Sequence, residues 1–91
     1  MNKSQLIIKV GERMGVTQRQ AEAIVNVIFD SMADALVQSE RIEIRGFGSF
    51  VIKHYDPYTG RNPKTGEKIA VNHKKLPFFK VGKDLKMRIN S

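Results

Sequence analysis

Apolar residues recur every three to four positions up to about Gln38 and every second position from Arg41, so the chain reads as helices followed by strands. Leu6, Ile7, Val10 and Met14 mark the inner face of a first helix. Asn2 can cap it with Gln5 as the reciprocal partner three residues on, and Gly15 suits its exit. Thr17 and Gln20 repeat the capping pair for a second helix, and Val16, just before the cap, can staple onto Ala21. That helix runs to about Gln38 with Ala21, Ile24, Val25, Ile28, Met32, Ala35 and Leu36 on one stripe, widened by Val27 and Phe29. The stripe is broader than one short helix can cover, which predicts a subunit interface.

In the second half, Ile42 and Ile44 alternate with Arg41, Glu43 and Arg45, the Gly46-Phe47-Gly48 turn follows, and Phe50 and Ile52 then share a face. This is the pattern of a β-hairpin. Phe78 and Phe79 return as core candidates, and Gly82 opens a last helix over 83–90 with Asp84 in its first turn and Arg88 in its last. All five phenylalanines, Phe29, Phe47, Phe50, Phe78 and Phe79, are expected in one aromatic cluster shared between two subunits.

Residues 54–75 do not fit this core, because apart from Ile69 and Val71 they offer no continuous apolar face. If the segment folds back near Pro63, each leg of about nine residues reaches roughly 30 Å at about 3.3 Å per residue. The result is a protruding β-ribbon, expected to be mobile alone and to order on binding, with His54 and His73 opposite each other across it. The fold expected is α+β in a single domain over 1–91. Its parts are a helical base over 1–40, a sheet and arm over 41–81 with the arm at about 54–75, and a short C-terminal helix.

Charge sharpens the picture. Residues 1–44 carry five bases and six acids, a net of −1, whereas residues 45–91 carry eleven bases and three acids, a net of +8. A positive excess gathered into one half is the sequence form of a polyanion-binding surface. There is no cysteine, which removes disulfides and thiolate zinc sites and fits a reducing, cytoplasmic compartment. No apolar run approaches the roughly 20 residues of a membrane span. A chain this small buries a modest core, and with disulfides and zinc removed, oligomerisation is the remaining staple.

The stretches "ERIEIRGFGSF" at 40–50, "GRNPKTGEK" at 60–68 and "GKDLK" at 82–86, in this order and spacing, resemble the bacterial histone-like HU/IHF family of DNA-bending proteins. The resemblance covers essentially the whole chain. It implies an intertwined dimer with a β-saddle over a helical base and two arms that reach around the duplex. The partner is double-stranded DNA in the nucleoid, with no cofactor, metal, membrane or small-molecule substrate, and no enzymatic activity. HU-type members are typically homodimers with little sequence preference, whereas IHF pairs two different chains and recognises a site. "ERIEIRGFGSF" and "NPKTG" are more similar to the IHF β chain, and the choice between an HU-like homodimer and an IHF-type heterodimer stays open.

With that resemblance, a proline among cations becomes intelligible. Pro63 at the arm tip would act as a wedge between base pairs, since its flat ring brings no backbone N–H into the stack. Arg61, Lys64 and Lys68 would follow the groove, and Asn62 could donate to minor-groove acceptors. Lys53, Lys74, Lys75, Lys80, Lys83 and Lys86 would meet the phosphates of the bent duplex along the body, with Lys3 added from the first helix. The amides at the start of the last helix would form a phosphate site beside Lys83. Glu43 and Arg45 lie two apart on one strand face, so the carboxylate can hold the guanidinium in one orientation, and the resemblance implies that this pair helps read a site. The dimer core implied comprises Val25, Ile28, Phe29, Met32, Leu36, Ile44, Phe47, Phe50 and Phe79. Other functions find little in the sequence. No nucleophile-base constellation is present, two histidines without acid ligands make a poor metal site, and the basic half lacks an amphipathic helix for a membrane surface. Binding to RNA or single strands is the stronger rival, and competition between duplex and single-stranded DNA would discriminate it.

Overall fold

A computed structural model describes residues 1–56, 58–61, 68–71 and 74–91, with side chains described over 1–56 and 74–91. Helices α1 (Lys3–Met14) and α2 (Gln18–Val37) are followed by strands β1 (Ile42–Ile44), β2 (Gly48–Tyr55), β3 (Tyr58–Arg61), β4 (Lys68–Val71) and β5 (Lys74–Val81), and by helix α3 (Lys83–Ile89). The expected α+β order is present, with the last helix bounded within a residue of its expected limits.

Local chemistry sets the helix ends. The Gln5 amide donates to Asn2 Oδ1 at 2.9 Å while the Asn2 amide donates to Gln5 Oε1 at 3.0 Å. Thr17 and Gln20 make the same reciprocal pair at 3.1 and 3.0 Å. Each pair satisfies backbone donors that the first helical turn leaves without partners. Gly15 ends α1 in the left-handed region at φ 65°. Helix α2 ends differently. The Ser39 amide donates to the Leu36 carbonyl and the Glu40 amide to the Ala35 carbonyl, both at 2.9 Å, in a Schellman arrangement. Ser39 stands at φ 59°, the sole non-glycine with positive φ among the described residues.

The α1–α2 pair holds the fully buried apolar core, which consists of Ile7, Ala21 and Val25 with Leu6, Val10 and Val16 packed against it. Val16 thus lies beside Ala21 as the staple requires. Val25, expected in a dimer core, is 2 % exposed and already enclosed within the chain, because its helix position faces α1. The remaining stripe is open: Ile28, Phe29, Ile44, Phe47 and Phe79 are exposed, and Met32, Leu36 and Phe50 are half-buried.

Strands β1, β2 and β5 form an antiparallel sheet in that order. The β1–β2 turn is closed by the Phe47 amide on the Ile44 carbonyl at 2.9 Å, with Gly46 at φ 85°. Eight consecutive pairs join β2 to β5, from Gly48 opposite Val81 to Tyr55 opposite Lys74. Strands β3 and β4 pair separately, with Tyr58 opposite Val71 and Arg61 opposite Lys68. Three residues further along each leg from the Tyr55–Lys74 pair is the Tyr58–Val71 pair, so the described stretches of the two sheets keep one count and pair as two legs of a ribbon. The tip, with Asn62, Pro63 and Lys64, lies outside the described residues, as do the side chains of Arg61 and Lys68 and the mobility expected of the arm.

The radius of gyration is 19.0 Å, against about 12 Å for a compact domain of this length. The accessible surface is 7846 Å², against about 5,400 Å² for a compact monomer of this mass. The single chain is therefore an open body with a projecting ribbon.

Two expectations about the strands are corrected. Phe47 and Phe50 both pack against Phe79, with ring centroids 5.6 and 4.8 Å apart, but Phe78 joins no ring–ring contact among the described residues, and Phe29 is left exposed on α2. Phe78 is one residue from Phe79 on a strand and points to the other face. His54 stands opposite Lys75, not His73, and His73 lies outside the described residues.

Gly48 is closely hemmed in, since an added Cβ would lie 2.6 Å from both the Lys80 carbonyl oxygen and the Phe79 ring. Gly48→Ala is therefore expected to destabilise the fold by about 1–3 kcal/mol, the usual cost of overpacking. Equilibrium denaturation with urea measures this, and an unchanged midpoint would contradict the close approach of β2 and β5 at that point.

Candidate nucleic-acid interface

Strand pairing sorts the side chains of the sheet. In an antiparallel ladder, residues directly opposite share a face and neighbours in sequence take opposite faces. One face therefore carries Ser49, Val51, Lys53 and Tyr55 of β2 with Lys80, Phe78, Leu76 and Lys74 of β5, and Glu43 of β1 beside Ser49. The other carries Gly48, Phe50, Ile52 and His54 with Val81, Phe79, Pro77 and Lys75, and Ile42 and Ile44 of β1. The second face bears the Phe50–Phe79 contact and the half-buried Ile42. The first is the polar one. Three of its members are lysines, interleaved with Val51, Leu76 and Phe78, and all three are exposed.

The Lys53 ammonium lies 3.8 Å from the centroid of the Phe78 ring. A cation over an aromatic face is attracted by the ring quadrupole, so Phe78 holds Lys53 over the sheet. This gives the exposed Phe78 a partner on the lysine-bearing face.

At the β1 edge the arrangement departs from the sequence reading. No ion pair joins Glu43 to Arg45 among the described residues. Arg41 instead donates from Nη2 to Ser49 Oγ at 3.4 Å, and Ser49 is the cross-strand partner of Glu43. Arg45 falls in the turn beyond β1, so the two-residue spacing that would align it with Glu43 on a regular strand does not hold. Arg41 is not among the binding residues that the sequence suggests, yet it lies at this edge. Its alternation with Glu43 in "RIEIR" was the available signal, since it shares their parity.

The expected phosphate site at the start of α3 is also altered. The Leu85 amide, in the first turn, donates to the Gly46 carbonyl at 3.1 Å, and the Gly82 amide donates to the Phe47 carbonyl at 2.8 Å. The Asp84 carboxylate stands against Gly46 as well. This helix start is thus docked onto the β1–β2 turn, with Asp84 in its first turn and no side-chain cap, while Lys83 and Lys86 remain exposed along α3. Lys3 is exposed in the first turn of α1, on the helical base and not on the sheet. Lys75 belongs to the apolar face, where its Nζ donates to the Val37 carbonyl at 2.9 Å and to Ser39 Oγ at 3.1 Å. No group of three or more metal-ligating side chains occurs among the described residues, and no described helix is long and apolar enough to cross a membrane.

Comparison with known proteins gives one consistent picture. The family model for bacterial DNA-binding proteins matches residues 1–90. The chain is 47% identical to the integration host factor subunit beta of Dechloromonas aromatica (strain RCB), covering 99% of this chain and 97% of that one. Among solved structures it is similar to HU in the Anabaena HU–DNA cocrystal structure, with a TM-score of 0.85 and 32% identity over 98% of this chain and 97% of the other. It also resembles HU from Thermotoga maritima, with a TM-score of 0.67 and 28% identity over 98% of each chain.

If the lysine-bearing face meets phosphates, replacing Lys53, Lys74 and Lys80 together with Gln lowers the slope of log affinity against log salt by about 0.9 for each phosphate no longer neutralised. The weakening is similar across unrelated duplex sequences, as expected of contacts that carry no base information. Anisotropy titrations at several salt concentrations measure both, and a slope equal to wild type removes this face from the interface.

Proposed function

Since the chain belongs to the bacterial DNA-binding protein family of HU and IHF, we propose that it acts as a dimer that binds and bends duplex DNA in the nucleoid. The observation that carries this reading is the segregation of Lys53, Lys74 and Lys80 onto one face of a sheet whose two long strands lead directly into the ribbon. A duplex laid on that face would meet a cation on each leg of the ribbon's root, and the arm would continue around it. The DNA held by HU in the Anabaena cocrystal supports duplex DNA as the ligand of this chain.

The dimer reading is supported by the open stripe. Ile28 and Phe29 of α2 are 52 % and 46 % exposed, and Phe47 and Phe79 of the sheet are 45 % and 38 % exposed. Monomeric proteins rarely leave such contiguous apolar surface in water. A second chain covering it would form a core that this chain lacks, built from Ile28, Phe29, Met32, Leu36, Ile44, Phe47, Phe50 and Phe79.

In this mechanism the phosphate contacts supply affinity and the arms supply bending. Pro63 enters between two base pairs as an apolar wedge, and Arg61, Asn62, Lys64 and Lys68 hold the arm in the minor groove. Unstacking a base step costs a few kcal/mol, offset by the contacts that the bent duplex makes with the body. The chain acts without strong sequence preference as a homodimer. A second reading, an IHF-type subunit that pairs with a related chain, is favoured by the identity to an IHF β subunit.

Sizing with mass detection separates the two. The purified chain alone is expected to elute as a stable dimer, and an insoluble or monomeric product points to the heterodimeric reading. Pro63→Ala tests the wedge. End-to-end energy transfer on a short labelled duplex is expected to report a smaller bend, while affinity changes little because most phosphate contacts remain. An unchanged bend sinks the wedge role.

A further inference from the structure

Helix α2 closes with a set of contacts that its own sequence does not complete. The Schellman arrangement satisfies the Ala35 and Leu36 carbonyls through the Glu40 and Ser39 amides. The left-handed residue at its heart is Ser39, at φ 59°, where glycine is the usual occupant. A side chain with a Cβ is strained there. The helix also has no basic residue in its last turn to meet the negative end of its dipole. Both needs are met from the far end of the chain. Lys75, the second residue of β5, donates to the Val37 carbonyl and to Ser39 Oγ.

Strand parity gives an independent reason to separate Lys75 from its neighbours. Lys74 and Lys80 share the face that carries Lys53, while Lys75 stands opposite His54 on the face of Phe50 and Phe79. We propose that Lys75 is a positioning residue: it completes the C-terminal cap of α2 and fixes the root of the ribbon to the helical base, and it contributes no phosphate contact. This rests on the DNA-binding reading only for the last clause. The consequence is mechanical. The returning leg of the ribbon rejoins the body at Lys74, where β5 begins, so anchoring the next residue sets the direction in which the arm leaves the body.

Two single substitutions on adjacent residues test the assignment. Lys75→Met is expected to raise the hydrogen-exchange rates of the Gln38, Ser39 and Glu40 amides severalfold in the DNA-free protein, and to leave the salt slope of duplex binding unchanged. Lys74→Met is expected to do the reverse, leaving those amides protected and lowering the slope by about 0.9 per phosphate no longer neutralised, once per subunit. A fall in slope for Lys75→Met makes it a phosphate ligand and overturns the proposal, as does unchanged exchange at the three amides. If wild type itself binds no duplex, the DNA-binding reading fails, and the exchange measurement still decides whether Lys75 caps the helix.

Discussion

The register of β2 against β5 is the constraint on which the rest of this molecule depends. Side chains on a strand alternate with a period of two, so a slip of one residue would exchange the two faces. In the observed register Phe50 and Phe79 meet on one side while Lys53, Lys74 and Lys80 gather on the other. Gly48 guards this pairing, because only a residue without Cβ leaves room there for the Phe79 ring and the Lys80 carbonyl. Aromatic packing and the placement of the lysines are therefore fixed by the same backbone ladder.

What could be read from the sequence follows from how local each determinant is. The capping pairs Asn2–Gln5 and Thr17–Gln20 act over three residues, and both were legible. The change of period at Arg41 and the Gly46 turn were legible for the same reason, and the arm was legible from the lack of a continuous apolar face over 54–75. Two of the departures turn on partners distant in sequence, and one on where a short strand ends. Phe78 looked like a core residue because it is a phenylalanine beside another, and only the pairing with Val51 assigns it to the lysine face. Lys75 looked like one more cation in a basic run until its partners in residues 37–39 were known. The alternation in "RIEIR" puts Glu43 and Arg45 on one regular strand, but β1 ends at Ile44.

The small enclosed core explains why so much of the apolar sequence remains on view. Ile7, Ala21 and Val25 hold α1 against α2, and Gly11 permits the approach, since a Cβ there would already touch Ala21 at 3.4 Å. That cluster organises the helical pair but cannot by itself cover the aromatic face of the sheet. Hydrophobic residues of α2 thus divide into two sets a fraction of a turn apart, one directed to α1 and one left open. The separation lets the helical pair form from near neighbours in sequence before any larger assembly is needed, which suits a chain whose remaining contacts are long-range.

The common register of the two sheets has an evolutionary corollary. Because the described pairs, Gly48–Val81 to Tyr55–Lys74 and Tyr58–Val71 to Arg61–Lys68, keep one count on both legs, the arm can lengthen or shorten only by matched changes in both. Adding one residue to each leg would turn every more distal side chain over. Adding two would preserve its facing and extend the arm by roughly 6.6 Å. The reach of such an arm is accordingly quantised, and related chains with longer or shorter ribbons are expected to differ by multiples of four residues in total.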